Sequence, residues 1–110
     1  MHYCAKIVLA KSDYNFFGPG VRDLLLNIES EGSVKAACEK MGMSYSKAWK
    51  MIRTVEKALS TEVVTRVQGG KSGGSASLTE AGKEMLERYM RFEQRCNQAI
   101  SEIYEQEFNQ

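Results

Sequence analysis

The segment Gln68-Gly69-Gly70-Lys71-Ser72-Gly73-Gly74-Ser75 is a glycine-rich, basic loop between two short runs of β-branched or apolar residues. Glycine lacks a Cβ, so such a loop can take positive φ values and lie close against another backbone. Its lysine and its free N–H groups give it affinity for phosphate. A helix-turn-helix pattern over residues 33–59 comes just before it. This order of elements predicts a winged helix-turn-helix fold in which residues 68–75 form the wing.

The helix-turn-helix pattern rests on capping residues. Ser33 is suited to cap a helix over 34–41, and Gly42 follows where a left-handed turn residue is expected. Ser44 is a good N-cap for a third helix over 45–59. At about 100° per residue, one side of this helix is apolar and is predicted to be buried, at Ala48, Ile52, Val55 and Leu59. The opposite side is predicted to be exposed, at Ser46, Lys50, Arg53 and Lys57, with Lys47 and Thr54 beside it.

The elements on either side complete the fold. Residues 5–10 and 14–17 predict an N-terminal β-hairpin, and Gly18-Pro19-Gly20 precedes a first helix whose apolar spacing begins at Val21 and which ends at Gly32. We expect Trp49 to pack under the wing or against the hairpin. Strands are predicted over 63–67 and 75–78, and Thr79 is predicted to cap a long final helix.

The final helix carries an apolar stripe with alternating spacings of four and three, at Met85, Tyr89, Phe92, Cys96, Ala99 and Ile103. This spacing is typical of a coiled-coil seam, and we interpret it as a dimer contact. Packing of part of the stripe within its own chain is the alternative. The fold class is therefore mainly α with small β, with a winged helix-turn-helix domain over 1–78 and a dimerisation helix over 79–110.

Composition and charge indicate the kind of partner. The chain has 110 residues, 43% of them hydrophobic and 26% charged, which suits a single globular domain. The net charge of +1 is unevenly distributed: −1 over residues 1–33, +5 over 34–78 and −3 over 79–110. Positive charge thus collects on the helix-turn-helix and the wing, where a polyanion would bind. With no bilayer-length apolar run and no signal-peptide pattern, we expect a cytoplasmic protein with no membrane segment.

Other kinds of site are poorly supported. Gly70-Lys71-Ser72 resembles part of a P-loop, but Thr65 stands where that motif needs glycine and no helix follows directly. The one histidine, His2, lies near the N-terminus, and no arrangement for nucleophilic catalysis is visible. Cys4, Cys38 and Cys96 have no metal-binding spacing and fit reduced thiols. We therefore expect neither an enzyme nor a metal or other cofactor.

A DNA-binding mode follows from the pattern. The third helix would enter the major groove of double-stranded DNA with its N-terminal residues nearest the base edges, and the wing would lie on the phosphate backbone. The candidate DNA-binding residues of the two helices are Ser33, Lys35, Ser44, Tyr45, Ser46, Lys47, Lys50, Arg53 and Lys57. Those of the wing are Gly70, Lys71 and Ser72.

Three segments resemble the DNA-binding domain of ModE-type molybdate-dependent transcription regulators: residues 32–37, 42–49 and 69–82. The resemblance covers roughly residues 5–95, and its first half also suits LysR-type regulators. It implies a dimeric winged helix that binds palindromic DNA. Full-length members of that group carry C-terminal molybdate-binding modules. The resemblance therefore supports DNA binding but not oxyanion sensing, and a separate effector-binding chain stays open as a partner.

Two other interpretations of the same residues remain. The basic face could meet an acidic protein, which would make the chain a winged-helix interaction module. The dimer could also respond to a small ligand or an oxidant through Cys38 or Cys96.

Overall fold

The computed structural model describes residues 1–67 and 74–108. Within them a β-hairpin is followed by three helices, a second β-hairpin and a long helix. The elements are β1 (Leu9–Lys11), β2 (Tyr14–Phe17), α1 (Pro19–Glu31), α2 (Val34–Met41), α3 (Tyr45–Leu59), β3 (Val64–Val67), β4 (Ser75–Leu78) and α4 (Glu80–Phe108). This arrangement is a winged helix-turn-helix of the mainly α class, as the sequence predicts.

The helix ends that the capping residues predict are confirmed, but α1 begins at Pro19, inside the Gly18-Pro19-Gly20 segment expected to precede it, because proline is well suited to the first helical position. Gly32 and Gly42 follow α1 and α2 with φ values of 79° and 69°, in the left-handed region that glycine enters without a Cβ clash. The hydroxyl of Ser33 accepts from the backbone N–H of Ala36 at 3.0 Å. Thr79 caps α4 in the same way, accepting from the N–H of Gly82 at 3.0 Å. Each such cap is worth about 1 kcal/mol.

The first hairpin forms, but β1 is shorter than predicted. It starts at Leu9 and not at Ala5, because the residues before it lie along α4. The Tyr89 hydroxyl donates to the carbonyl of Ile7 at 2.7 Å, and the Tyr104 hydroxyl donates to that of Met1 at 2.7 Å. Contacts with α4 therefore replace strand pairing at the start of the chain.

The second hairpin brackets the wing. β3 and β4 are antiparallel, with Val64 opposite Leu78 and Val67 opposite Ser75. β3 begins at Val64, one residue later than predicted. The Val63 N–H donates at 2.9 Å to the carboxylate of Glu56 on α3. A side chain of α3 thus fixes the entry into this strand.

A single hydrophobic core is formed by residues from the helices and from both hairpins. Its largest fully buried side chains are Phe17, Leu24, Leu25, Ile28, Ile52, Val55, Val63 and Tyr89. On α3 the prediction was correct for Ala48, Ile52 and Val55 but wrong at the end of the stripe. Ala58 is buried there and Leu59 only partly so, and Lys11 of the first hairpin reaches this end of the helix, where its ammonium group donates to the Ala58 carbonyl at 2.8 Å.

The first turns of α4 belong to this core. Gly82, Leu86 and Tyr89 are buried, and the rings of Tyr89 and Phe17 are 4.7 Å apart. The structure thus corrects the prediction that Tyr89 is a dimer contact, because its side chain is only 1% exposed within its own chain. Burial, together with the nearby carboxylate of Glu93, raises the pKa of Tyr89 to about 12.

Candidate nucleic-acid interface

The start of α3 is held by local bonds. Ser44 caps the helix by accepting from the N–H of Lys47 at 3.1 Å, and the N–H of Met43 donates to the carbonyl of Cys38 at 3.0 Å. The turn between α2 and α3 is therefore fixed by one hydrogen bond at the end of α2 and another at the start of α3. Tyr45, Ser46 and Lys47, the residues predicted to lie nearest the base edges, are exposed on this first turn.

The basic face of α3 is exposed as predicted. The surface consists of Ser46, Lys47, Lys50, Arg53 and Lys57, all of them exposed. Within residues 1–67 and 74–108, the salt bridges use other cations, namely Arg22, Lys40 and Lys83. The four cations of this face thus repel one another without a carboxylate between them. An external anion would relieve that repulsion.

Trp49 joins α3 to the strand that enters the wing. The guanidinium carbon of Arg66, in β3, lies 4.9 Å from the centre of the Trp49 ring, and that of Arg53 lies 5.5 Å from it. Arg66 also donates to the Tyr45 hydroxyl at 3.0 Å. The Trp49 ring therefore lies against β3, the strand that leads into the wing, whereas the predicted contact with the wing itself falls on residues outside those described.

Arg66 is a candidate site residue that the sequence analysis missed. It is exposed, and two aromatic side chains of α3 hold its guanidinium beside the exposed basic face. A stacked guanidinium keeps N–H groups free to bond phosphate in a forked geometry. In the sequence, the only indication of this role was that Arg66 is a cation in the strand directly before the wing. Its contact with Tyr45 and Trp49 could be seen only in three dimensions.

Gly70, Lys71 and Ser72, the predicted wing residues, lie outside the described residues. The two ends of the wing are described. Val67 and Ser75 are opposite each other, and the N–H of Ala76 donates to the carbonyl of Gly32 at 2.8 Å. Both strands that bracket the wing are therefore fixed, one to α3 through Arg66 and one to the turn that follows α1.

Ser33 and Lys35 lie next to the base of the wing. Together with Gly74 and Ser75 they line a groove of about 420 Å³. Lys35 is exposed, whereas the Ser33 oxygen is engaged as the N-cap of α2. Ser44 is engaged in the same way at the start of α3. The two serine oxygens therefore act first as helix caps, and each hydroxyl can still donate its proton to a ligand.

Lys57 is positioned by the first hairpin. Its ammonium nitrogen lies 4.9 Å from the centre of the Tyr14 ring in β2. This cation–π contact holds the charge near the C-terminal end of the basic face. Lys57 is thus brought onto the same surface as Lys50 and Arg53, about three turns from the start of α3.

The outer part of the α4 stripe faces away from the core. Phe92 is 47% exposed and Ile103 is 57% exposed, whereas Met85 packs against the core. Between the two exposed residues, Cys96 is half-buried and Ala99 is exposed. Four of the six predicted dimerisation residues therefore remain on the surface of α4.

The cysteines give no sign of a reactive or metal-binding centre. Cys4 is exposed and Cys38 is buried, and burial raises the pKa of the Cys38 thiol. In the part of the chain that the structure describes, no three His, Cys, Asp or Glu side chains are grouped as metal ligands. No helix there has the length and apolar character needed to span a bilayer.

The capped helix pair, the exposed basic face of α3 and the hairpin around the wing define a winged helix-turn-helix protein. Residues 23–83 match the model of the bacterial regulatory helix-turn-helix protein, lysR family. The chain belongs to that family. A crystal structure of ArgP from Mycobacterium tuberculosis has the same fold, with a TM-score of 0.57 and 22% identity over 80% of this chain and 31% of that chain.

Within this family the chain is similar to molybdenum-related regulators and binding proteins. It is 36% identical to the molybdenum-pterin-binding protein MopB of Rhodobacter capsulatus, over 78% of this chain and 32% of that protein. It is 34% identical to the DNA-binding transcriptional dual regulator ModE of Escherichia coli (strain K12), over 67% of this chain and 28% of that protein. The chain spans about a third of the length of the curated relatives it matches. The ModE-type resemblance stated from the sequence is confirmed.

Proposed function

We propose that the chain is a sequence-specific DNA-binding transcription regulator, not an enzyme, which binds palindromic operator DNA as a homodimer in the cytoplasm. One observation carries this proposal. The helix α3 exposes a row of cations, and its Tyr45 accepts a hydrogen bond from Arg66 of β3, the strand that leads into the wing. The recognition helix and the strand that leads into the wing would therefore meet the same ligand. The similarity to regulators named as DNA-binding supports the same conclusion.

The binding mode assigns different tasks to different residues. The first turn of α3 would lie nearest the base edges in the major groove, with Tyr45, Ser46 and Lys47 as candidates for contact with bases or with the flanking phosphates. Lys50, Arg53 and Lys57 would contact phosphates along the helix, and Lys71 would do so from the wing. Arg66 joins this set, because its guanidinium is already oriented by Trp49. Lysine and serine discriminate bases less than a bidentate arginine does, so phosphate contacts supply most of the affinity.

The homodimer is proposed to form through α4. The exposed apolar residues Phe92, Ala99 and Ile103 and the half-buried Cys96 lie on one stripe of this helix. A second copy would remove that surface from water. Residues 79–110 would thus act as the dimerisation segment and residues 1–78 as the DNA-binding domain, although α4 also completes the core through Leu86 and Tyr89.

DNA affinity measured against salt tests the binding proposal. We expect Lys50→Ala and Arg53→Ala to weaken binding and to lower the slope of log K against log salt by about 0.9 for each lost phosphate contact. Lys83→Ala is the matched control, because this exposed lysine on α4 already pairs with Glu80 at 3.6 Å. Binding that does not depend on salt, or the absence of binding to any duplex, would refute the proposal.

A selection of genomic fragments tests the homodimer and its specificity. Fragments retained by the protein should share a palindrome with half-sites about one helical turn apart. The variant Phe92→Glu should lower both the sedimentation coefficient and the affinity for such fragments. Repeating the selection with molybdate, and with a separate effector-binding chain where one exists, tests effector dependence. Retention of an acidic protein without enrichment of any DNA would favour the interaction-module alternative.

A further inference from the structure

A second basic cleft lies on the other side of α3 from Arg66 of β3. One wall is the segment around the first hairpin, with Lys6, Val8 and Asn15, and the floor is the start of α1. The opposite wall is α3, through Ser46, Lys47, Lys50, Met51 and Thr54. The cleft has a volume of about 810 Å³ and is open to solvent.

The charge of this cleft has one sign. Lys6, Lys47 and Lys50 line it and are exposed, and no aspartate or glutamate is among the described residues that line it. Lys6 belongs to a segment of the chain far from α3 in sequence. Its charge adds to those of α3 because the N-terminal segment, which runs along α4, also forms the wall of the cleft opposite α3. Three converging cations favour an anionic ligand.

The position of the cleft on α3 indicates that the anion would be a DNA phosphate backbone. At about 100° per residue, Tyr45 and Trp49 point to the Arg66 side, whereas Lys47 and Thr54 point roughly half a turn away, into the cleft. The exposed basic face lies between these two sides. A helix that lies in the major groove, which is about 12 Å wide, has one phosphate backbone on each flank. Arg66, in the strand that leads into the wing, and the cleft are therefore placed to meet opposite strands.

We propose that this cleft is a second phosphate-binding track, in which Lys6, with Lys47, binds the DNA backbone across the major groove from the wing. Lys50 lines the cleft and also lies on the basic face, so the track is continuous with the recognition surface. The amide of Asn15, exposed on β2, supplies a neutral donor to the same backbone. This inference rests on the proposed DNA-binding function and extends it to the N-terminal segment.

The test is the salt dependence of binding by Lys6→Gln in the full chain, measured by fluorescence anisotropy on a short duplex of arbitrary sequence. Losing one phosphate contact lowers the salt slope by about 0.9, so the advantage of the unsubstituted protein shrinks about 3.5-fold between about 50 and 200 mM salt. Lys6→Arg should retain the slope, and Lys83→Gln, the control on α4, should leave it unchanged. Far-UV circular dichroism checks that each variant is folded.

The outcomes separate this inference from the function on which it rests. If the unsubstituted protein binds no duplex, the proposed function fails. If it binds with a steep salt slope and Lys6→Gln binds identically, only the second track is overturned. If Lys6→Gln and Lys83→Gln lose the same amount, the effect is one of net charge, and the second track is again overturned.

Discussion

Gly82 gives the sharpest test of how α4 is joined to the winged domain. An ideal Cβ built on Gly82 lies 3.0 Å from the carbonyl carbon of Val63 and 3.2 Å from its Cα, and closer still to the carbonyl oxygen. The contact is with backbone, and that oxygen also accepts from the N–H of Thr79 at 3.0 Å. The carbonyl therefore cannot move aside without losing a hydrogen bond.

The Gly82→Ala substitution sets two effects of opposite sign against each other. Alanine is favoured over glycine in a helix by about 1 kcal/mol. Forcing a methyl group into a packed interior costs about 3 kcal/mol at the upper end of the usual range. We expect a net loss of about 2 kcal/mol in the free energy of unfolding, which corresponds to a fall of about 10 °C in Tm.

Urea denaturation followed by the fluorescence of Trp49, the single tryptophan, measures the effect. All variants are compared at one protein concentration, because dimerisation would make the stability depend on it. Gly20→Ala is the control: its Cβ would lie 3.7 Å from the Met51 Cε, an ordinary contact, and it should stabilise by about 0.5 kcal/mol. A Gly82→Ala protein as stable as the unsubstituted chain would refute the argument from close packing.

Three further predictions concern single side chains. Tyr89→Phe removes the bond to Ile7 and should cost about 1 kcal/mol in urea denaturation. Because the folded pKa of Tyr89 is raised from 10.0 to about 12, its stabilising contribution is complete below pH 10 and is lost as the pH rises towards 12. Denaturation at stepped alkaline pH should therefore show a smaller loss of stability for Tyr89→Phe, and an equal loss would contradict this. Ser44→Ala removes the N-cap of α3 and should cost about 1 kcal/mol, whereas no change would mean that the cap contributes little. Iodoacetamide should modify exposed Cys4 well before buried Cys38, as mass spectrometry would show, and the reverse order would contradict the burial.

The parts of the fold that the sequence predicts correctly are those fixed by neighbouring residues. A glycine in the left-handed region or a serine at an N-cap acts within one turn of helix, as at Gly42 and Ser44. The exposed basic side of α3 follows from helical periodicity in the same way. Local chemistry therefore suffices for the helix-turn-helix.

The features that were missed depend on contacts between distant segments. Glu56 accepts a hydrogen bond at the start of β3, and Arg66 stacks on Trp49. No local sequence pattern indicates that either pair of residues is in contact. Tyr89 has the spacing of a coiled-coil seam, but Phe17 covers its ring. Periodicity identifies a face that must be covered. It does not tell whether the same chain or another copy covers it.

The ion pair between Arg22 of α1 and Glu93 of α4, with 2.5 Å between the charged atoms, has a consequence for the operator. Together with the burial of Tyr89, this pair anchors α4 to the domain on both sides of the residues between them. Were two copies to associate along α4, the distance between their two recognition helices would be built into the scaffold. One inserted base pair between half-sites turns one of them by about 34° around the duplex axis, and such a rigid frame could not follow it. Spacing, as well as base sequence, would then select the sites that the protein occupies.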